Sequence, residues 1–230
     1  MLKKVIKEIL QTSKKYGWVL EPEAKRLLAE AGLKVPEFRW AKNVEEALQF
    51  AEKNGYPVVA KIVSGDVIHK SDRGGVIVGI NSRPKLEAAF QHLSRLPGFE
   101  GIVVEEMLSG VELIAGAKLD HQFGPVILLG MGGTDVEIYK DTSLRMAPIQ
   151  ERDVISMVTS LKAYPLLKGH RGSKPINFQN LARTLTLFSE LVMTIEEHIE
   201  SIDLNPILCS AEQCVVADAR IMLHGTDVIK

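Results

Sequence analysis

The chain has 230 residues, a formal net charge of −1 and 46% apolar residues. This length allows one large domain or two smaller lobes, and the balanced charge excludes the strongly basic surface that a nucleic-acid partner would need. The longest apolar runs, such as 125–131, are far too short to cross a bilayer, and the first residues predict an amphipathic helix instead of a signal segment. We therefore expect a cytoplasmic protein with no membrane partner.

The first part of the chain predicts a series of helices followed by a strand. After an opening helix, a second begins at Glu21, with Pro22 in its first turn. Asn43 and Glu46 have the spacing of a capping box, which predicts the start of a third helix. The apolar run 56–63 then predicts a strand.

A polar, glycine-bearing loop over 64–76 follows this strand. Glycine lets backbone N–H groups approach a phosphate, and Lys61, Lys70 and Arg73 supply compensating positive charge. His69 lies in the middle of the loop, and an imidazole can carry a group as a covalent intermediate. The pattern fits a phosphate-handling loop, or alternatively an ordinary turn that carries a surface histidine between two strands.

Two β-rich segments joined by an acidic link follow the return strand 76–80 and a helix over 84–96. Glu105 and Glu106 lie at the link, and Glu112 lies on the second segment. The edge of a strand beside such a link can offer backbone groups to an adenine, while a carboxylate can accept hydrogen bonds from ribose hydroxyls. A hairpin with acidic, solvent-facing residues is the alternative.

Strands and helices alternate through the rest of the chain, with a basic loop that either holds a phosphate or is solvated. The predicted strands are 125–133, 136–140 and 143–149, the predicted helices are 151–161 and 177–197, and the basic loop is 168–172.

A closing strand pair carries Asp203, Asn205 and Asp218, with Asn205 and Asp218 able to lie side by side. Burying these polar groups in apolar strands would be costly without a cation, and Mg²⁺ with its oxygen ligands fits that need. Polar residues on an exposed strand face are the alternative.

Cys209 and Cys214 are the only two cysteines. Their spacing is not that of a zinc knuckle, and no histidine pair lies near them at metal-ligand spacing. We predict that they are buried small residues without a redox or metal role.

Together these segments resemble the ATP-grasp superfamily, and more closely the β subunit of ADP-forming acyl-CoA synthetases, the acetate–CoA ligase (ADP-forming) group related to succinyl-CoA synthetase. The resemblance runs in order through nearly the whole chain. It is carried by 61–64 with 69–76, 105–107, 110–114, 120–125, 130–133, 166–172, 203–206 and 218–220.

The resemblance implies an α/β (α+β) fold, an ATP-grasp fold of two α/β lobes with the nucleotide between them. The N-terminal lobe would be 1–104, with a phosphohistidine loop at 64–76. The C-terminal lobe would be 105–230, with the adenine hinge and the magnesium-binding strands.

The resemblance also implies a role for each site residue, with ATP or ADP and Mg²⁺ as cofactors. Lys61 would bind the nucleotide phosphates, the stretch 105–108 would form the adenine hinge, and Glu112 would hold the ribose. The full cofactor-binding set would be Lys61, Gly74, Gly75, Glu105, Glu106, Leu108 and Glu112, and the metal ligands would be Asn205 and Asp218.

The catalytic set implied by the resemblance is His69, Arg73 and Asp203. His69 would be the phosphorylated histidine, Arg73 would neutralise phosphate charge, and Asp203 matches an acidic position that helps to receive the phosphohistidine at a distant station. In the family, a partner subunit passes the phosphoryl group to this histidine, which swings on its loop and hands the group to ADP.

The chain shows no Gly-x-Gly-x-x-Gly stretch that opens a helix, so we expect a partner α subunit to carry the CoA-binding function. The resemblance implies that the two subunits form an α2β2 heterotetramer. The expected activity is that of an ADP-forming acetyl-CoA synthetase. Two alternatives are a stand-alone ATP-grasp carboxylate ligase and a non-catalytic, nucleotide-binding regulatory subunit.

Overall fold

The structure is a computed structural model that describes residues 2–133, 141–170 and 172–225. Within these residues, no helix combines the length and the apolar character that a membrane-spanning helix needs. The α-helices are α1 (Leu2–Ser13), α2 (Glu21–Glu30), α3 (Val44–Asn54), α4 (Arg83–Leu93), α5 (Glu151–Ser160), α6 (Tyr164–Leu167) and α7 (Phe178–Ile195). The strands are β1 (Trp18–Val19), β2 (Phe38–Ala41), β3 (Val58–Ser64), β4 (Val76–Ile80), β5 (Phe99–Glu106), β6 (Val111–Asp120), β7 (Gly124–Met131), β8 (Thr142–Met146), β9 (Ile199–Cys209), β10 (Cys214–Val216) and β11 (Ala219–Leu223).

Most predicted elements are present, with ends that differ by a few residues. Asn43 is the N-cap of α3, and its side chain accepts a hydrogen bond from the N–H of Glu46, as the capping-box spacing predicted. The strand predicted over 136–140 lies outside the described residues, as does Arg171 of the basic loop. The short strands β1 and β2 were not predicted, because each has too few residues to show a periodic pattern.

The chain divides into two compact units, and the division differs from the predicted one at 104/105. The larger unit is Met1–Val19, Glu23–Val35 and Ser109–Lys230, and the smaller unit is Leu20–Pro22 and Pro36–Leu108. The N-terminal residues join the larger unit because β1 pairs antiparallel with β11, Trp18 opposite Met222. Sequence order alone did not predict this long-range pairing.

In its described residues, the larger unit has a seven-stranded sheet in the order β1-β11-β9-β6-β7-β8, with β10 paired to β9. Helices α1, α2, α5, α6 and α7 pack their apolar side chains against the sheet to form one core. Each fully buried Leu, Ile or Phe side chain contributes about 1.5–3 kcal/mol to folding. The predicted apolar face of α7 is buried as expected: Leu181, Leu185, Phe188, Leu191, Val192 and Ile195.

Two side-chain carboxylates close turns in the larger unit. The Asp120 carboxylate accepts hydrogen bonds from the N–H groups of Gln122 at 2.8 Å and Phe123 at 2.9 Å, and these bonds hold the pKa of Asp120 below its usual value. The Asp141 carboxylate is buried and accepts from the N–H groups of Lys162 and Ala163, both at 2.8 Å, just before α6. Asp141 thus satisfies amide groups that the short helix leaves without intrahelical partners.

The smaller unit is a four-stranded antiparallel sheet in the order β2-β5-β3-β4, packed against α3 and α4 around its own apolar core. Strands β3 and β4 form the predicted hairpin, with the polar loop at its tip. Strands β5 and β6 belong to different sheets, so the hairpin considered as the alternative for the acidic link is wrong.

Cys209 and Cys214 are both buried, as predicted, but they also form a disulfide. Antiparallel pairing of β9 and β10 places the two residues directly opposite each other. The five-residue separation in the sequence gave no sign of this register, so the interpretation as unlinked small residues is corrected.

We predict that replacing Asp141 with asparagine lowers the free energy of unfolding by about 1–3 kcal/mol, because an amide offers one acceptor oxygen where the carboxylate offers two. Urea unfolding followed by circular dichroism measures the change. Glu190→Gln, on the exposed side of α7, is the control and should stay within about 0.5 kcal/mol of wild type. An Asp141→Asn protein as stable as this control would contradict the assigned role.

Candidate functional site

The base of the polar loop is fixed by Ser64, the last residue of β3. Its hydroxyl donates to the carbonyl oxygen of Pro97 at 2.8 Å and accepts from the N–H groups of Asp66 at 3.0 Å and Val67 at 3.2 Å. One buried side chain therefore satisfies the first backbone groups of the loop and holds it to the segment after α4.

The other end of the loop closes on the carbonyl oxygen of Lys70, which accepts from the N–H groups of Arg73 at 3.2 Å and Gly75 at 2.7 Å. Gly74 has a φ of +66°, a left-handed conformation that glycine adopts without strain. A Cβ at Gly75 would lie 2.7 Å from the Ile62 side chain and 2.9 Å from the Lys70 carbonyl oxygen. The closure of the turn therefore requires the glycines of the predicted motif.

His69 and Arg73 are both exposed on this loop. The imidazole thus lies outside the apolar core of the smaller unit, where another molecule can reach it. This placement fits a histidine that accepts and releases a group, and it contrasts with the burial of the neighbouring lysines.

A cluster of buried charges lies below the loop. Lys61 is only 5% exposed, and its ammonium lies 2.8 Å from a Glu105 carboxylate oxygen and 3.1 Å from Glu21 Oε1. The other oxygen of Glu21 is hydrogen-bonded to the ammonium of Lys70. A buried charge is costly without partners, and these carboxylate contacts compensate the Lys61 ammonium and orient it.

Sequence analysis missed Glu21, which it identified only as the start of a helix. Glu21 is 2% exposed and is separated from Lys61 by 40 positions in the sequence. A carboxylate at the beginning of a helix is common, because the helix dipole favours negative charge there. No sequence signal separated this buried carboxylate from an exposed one.

The predicted adenine hinge has two different carboxylates. Glu105 lies diagonally opposite Lys61 on the neighbouring strand, so its carboxylate faces the Lys61 ammonium. Both side chains are buried. Glu106 instead forms two hydrogen bonds with Glu37. Its N–H donates to the Glu37 carbonyl oxygen at 3.1 Å, and its Oε1 accepts from the Glu37 N–H at 3.0 Å. The side chain of Glu106 therefore holds the segment before β2, while Leu108 beyond it is half-buried.

In the larger unit, Glu112 is exposed and lies beside the glycines that follow β7. Its carbonyl oxygen accepts from the N–H of Gly132 at 2.8 Å. A Cβ at Gly132 would come within 3.0 Å of Glu112 Cβ, so a larger residue would displace this carboxylate. The predicted ribose ligand is thus positioned by the glycine-rich motif.

The structure brings Asn205 and Asp218 together, since the N–H of Asn205 donates to the Asp218 carbonyl oxygen at 3.1 Å. Asp203 lies on the same strand and pairs with Arg220 at 3.4 Å. The predicted burial of these polar groups is wrong: Asn205 is exposed, and Asp203 and Asp218 are half-buried. Asp203 and Asn205 lie on the face of β9 opposite the core. Alternation along β9 turns Ile202 and Leu204 inward instead.

The pair Asn205 and Asp218 still has the chemistry of a magnesium site. Mg²⁺ prefers oxygen ligands and usually takes one or two from protein and the rest from phosphate and water. Among the residues that the structure describes, no cluster of three or more His, Cys, Asp or Glu side chains is placed to bind a metal ion without such help. The residues present therefore fit a metal ion that arrives with a nucleotide.

Comparison with known proteins gives a match over most of the chain. The family model of the ATP-grasp domain matches residues 11–223. The β subunit of acetate–CoA ligase [ADP-forming] I from Pyrococcus furiosus is 42% identical over 226 residues, which cover 94% of this chain and 97% of that protein. Acetate–CoA ligase [ADP-forming] I from Archaeoglobus fulgidus is 41% identical, and the match covers 95% of this chain but 32% of that longer protein.

Solved structures of the dinucleotide-forming acetyl-coenzyme A synthetase 1 from Ca. Korarchaeum cryptofilum are also similar. One, in complex with coenzyme A and Mg-AMPPCP, has its phosphohistidine segment pointing towards the nucleotide binding site; it has a TM-score of 0.83 at 37% identity, over 94% of this chain and 99% of that one. Another, with coenzyme A and acetyl-coenzyme A, has a phosphorylated phosphohistidine segment in the site I orientation and a TM-score of 0.84, with the same identity and coverage.

We predict that Lys61→Met lowers the free energy of unfolding by about 3–5 kcal/mol, because Glu105 and Glu21 remain buried after their common cation is removed. Urea unfolding measures the loss. Lys53→Met removes the same charge from the exposed last turn of α3 and should change stability by no more than about 0.5 kcal/mol. Equal stability of the two variants would show that the buried cluster does not depend on Lys61.

Proposed function

This chain belongs to the ATP-grasp family and, within it, to the β subunits of ADP-forming acetate–CoA ligases, and on that premise we propose that it transfers a phosphoryl group between His69 and ADP. The complete enzyme is an acid–thiol ligase that interconverts acetyl-CoA, ADP and phosphate with acetate, ATP and CoA. The observation that carries the proposal is the exposed His69 at the tip of a hairpin whose stem holds the buried, oriented Lys61.

In the direction of ATP synthesis, a β-phosphate oxygen of ADP attacks the phosphorus of phosphohistidine. The new O–P bond forms as the N–P bond breaks, and the bonding electrons return to the imidazole nitrogen. This transfer needs in-line positioning and charge neutralisation more than covalent chemistry from the surrounding protein. Lys61 and Arg73 supply positive charge from a strand and from the loop respectively.

The remaining residues of the site are proposed to hold the nucleotide and its metal ion. Gly74 and Gly75 let the loop backbone come close to phosphate, the hinge 105–108 contacts the adenine, and Glu112 contacts the ribose. Asn205 and Asp218 would hold Mg²⁺, which neutralises phosphate charge when bound. Asp203 is proposed to assist the phosphohistidine at its second station.

We propose that a CoA-binding α subunit completes the enzyme, in an α2β2 heterotetramer. The name of the Pyrococcus furiosus relative states that it is one subunit of a ligase. In the Archaeoglobus fulgidus relative, the matching segment is 32% of a longer chain, which leaves room for further domains in the same polypeptide. A cytoplasmic location stays a prediction from the sequence.

Two other functions are alternatives that a phosphorylation experiment distinguishes from phosphoryl transfer. A stand-alone ATP-grasp carboxylate ligase would make an acyl phosphate directly and would not need His69. A regulatory subunit would bind nucleotide without transferring phosphoryl groups. The presence together of Lys61, His69, Asn205 and Asp218 favours the transfer function, since a scaffold has no use for the set.

We predict that incubation with γ-labelled ATP and Mg²⁺, with the α subunit present, labels the wild-type chain with an acid-labile, base-stable phosphate. His69→Ala should abolish the label, because no other group is proposed to accept it. Gel autoradiography after acid and base treatment measures this. His121→Ala, at an exposed turn of the larger unit, is the control and should retain full labelling. Label that persists in His69→Ala would refute the relay through this residue.

We also predict that Asp218→Asn raises the Mg²⁺ concentration for half-maximal phosphorylation about tenfold, or about 1.4 kcal/mol, because an amide is a weaker ligand for a hard cation than a carboxylate. Titration of the labelling rate with MgCl2 measures the shift. Glu212→Gln, in the exposed turn between β9 and β10, should leave the midpoint unchanged. An unchanged midpoint in Asp218→Asn would remove this residue from the proposed metal site.

A further inference from the structure

Glu21 contacts two lysines that have different places in the hairpin. Its Oε1 lies 3.1 Å from the ammonium of Lys61 on β3, and its Oε2 accepts a hydrogen bond from the ammonium of Lys70. Lys70 is in the loop, directly after His69. A single carboxylate therefore joins the histidine-bearing loop to the lysine proposed to bind nucleotide phosphates.

The contact with Lys70 is part-buried, although the residues on either side of Lys70 are exposed. The side chains of Glu21 and Lys70 are 2% and 10% exposed, whereas His69 and the residues 71–74 are exposed. Opposite charges at a water-exposed site contribute little to stability, but a charge-assisted hydrogen bond between desolvated groups is considerably stronger. The Glu21–Lys70 pair is thus an attachment point for the exposed part of the loop, His69 and residues 71–74.

The backbone of Lys70 connects the Glu21–Lys70 contact to the closing turn of the loop. Its carbonyl oxygen accepts the N–H groups of Arg73 and Gly75, so the closing turn is built on Lys70. His69 is its covalent neighbour, and adjacent Cα atoms are about 3.8 Å apart. Any movement of His69 over a long distance must therefore carry Lys70 away from Glu21.

We propose that Glu21 is a positioning residue that docks the His69 loop at Lys61, and that the loop leaves this position only when the Glu21–Lys70 pair separates. The inference rests on the proposed function, in which His69 must meet the nucleotide for one half of the reaction and move away for the other. Glu21 does not contact the reacting atoms. Its loss should therefore slow phosphoryl transfer without weakening nucleotide binding, since removing a carboxylate beside Lys61 does not reduce the attraction for phosphate.

Hydrogen exchange of the loop amides tests the docking contact without any need for catalysis. In the complete chain, Glu21→Gln and Lys70→Gln should each speed exchange of the Arg73 and Gly75 amides about tenfold, since the closed turn opens more often. The double variant should be no faster than either single one, because both remove the same contact. Unchanged exchange in both single variants would overturn the proposal.

Glu23→Gln is the matched control. It makes the same charge change two residues further along α2, where the Glu23 carboxylate pairs with Arg26 at 3.5 Å near the surface. Its loop exchange and its phosphorylation rate should equal those of wild type. Lys70→Gln provides a second variant that leaves the contacts of Lys61 with Glu21 and Glu105 in place, so the test does not depend on the folding of Glu21→Gln alone.

A second measurement distinguishes a positioning role of Glu21 from a general loss of structure in the variant. With the α subunit present, Glu21→Gln should lower the rate of His69 phosphorylation by ATP at least about fivefold while the dissociation constant for ADP stays equal or falls. A parallel loss of nucleotide affinity would overturn the positioning role. If the wild-type chain takes no label but loop exchange rises in both variants, the docking contact stands and the proposed function fails.

Discussion

A lysine ammonium held below the surface between two carboxylates is the interaction on which the smaller unit depends. Lys61 lies on β3, Glu105 on β5 and Glu21 at the start of α2, so one charge cluster ties together segments from distant parts of the sequence. Such a cluster is costly to desolvate, and replacing it with apolar residues is often neutral or stabilising. The cluster lies on the sheet face opposite the apolar core, since the alternate residues Ala60 and Ile62 face that core. Its cost therefore points to a use in chemistry.

Within one hairpin, the same unit separates two lysines that are held by carboxylates from an exposed histidine. Lys61 and Lys70 are fixed by carboxylates, whereas His69 and Arg73 lie in solvent. Fixed positive charge at the base of a hairpin can bind phosphate without reorganisation, and an exposed loop is the arrangement that the proposed movement of His69 needs. Glycine at positions 74 and 75 permits the tight turn that joins the two.

Local patterns predicted those parts of the fold that depend on local forces. The N-cap at Asn43, the apolar face of α7 and the β3–β4 hairpin all follow from periodicity or turn chemistry. The position of Lys61 and His69 on a strand and a loop followed in the same way. Burial of Glu21 did not, because the partner that neutralises it comes from another part of the chain.

Predictions that required knowledge of strand order were less accurate. For the acidic link, the sequence left a hairpin open as the alternative, but the two strands that the link joins belong to separate sheets. The polar residues of β9 suggested a buried metal site, but the pleat turns Asp203 and Asn205 away from the core. In each case the pattern along one strand was read correctly. The sequence did not show which strand would pair with it or which of its faces would pack against the core.

The antiparallel pairing of β1 with β11 has a consequence for the synthesis of the protein. At about 5–20 residues per second, the ribosome completes β11 roughly 10–40 s after β1. During that interval the apolar faces of α1 and α2 have no finished sheet to cover them, whereas the smaller unit has all its strands once Glu106 is made. We therefore expect the nascent chain to pass through a stage in which one unit is folded and the other exposes surface that chaperones bind.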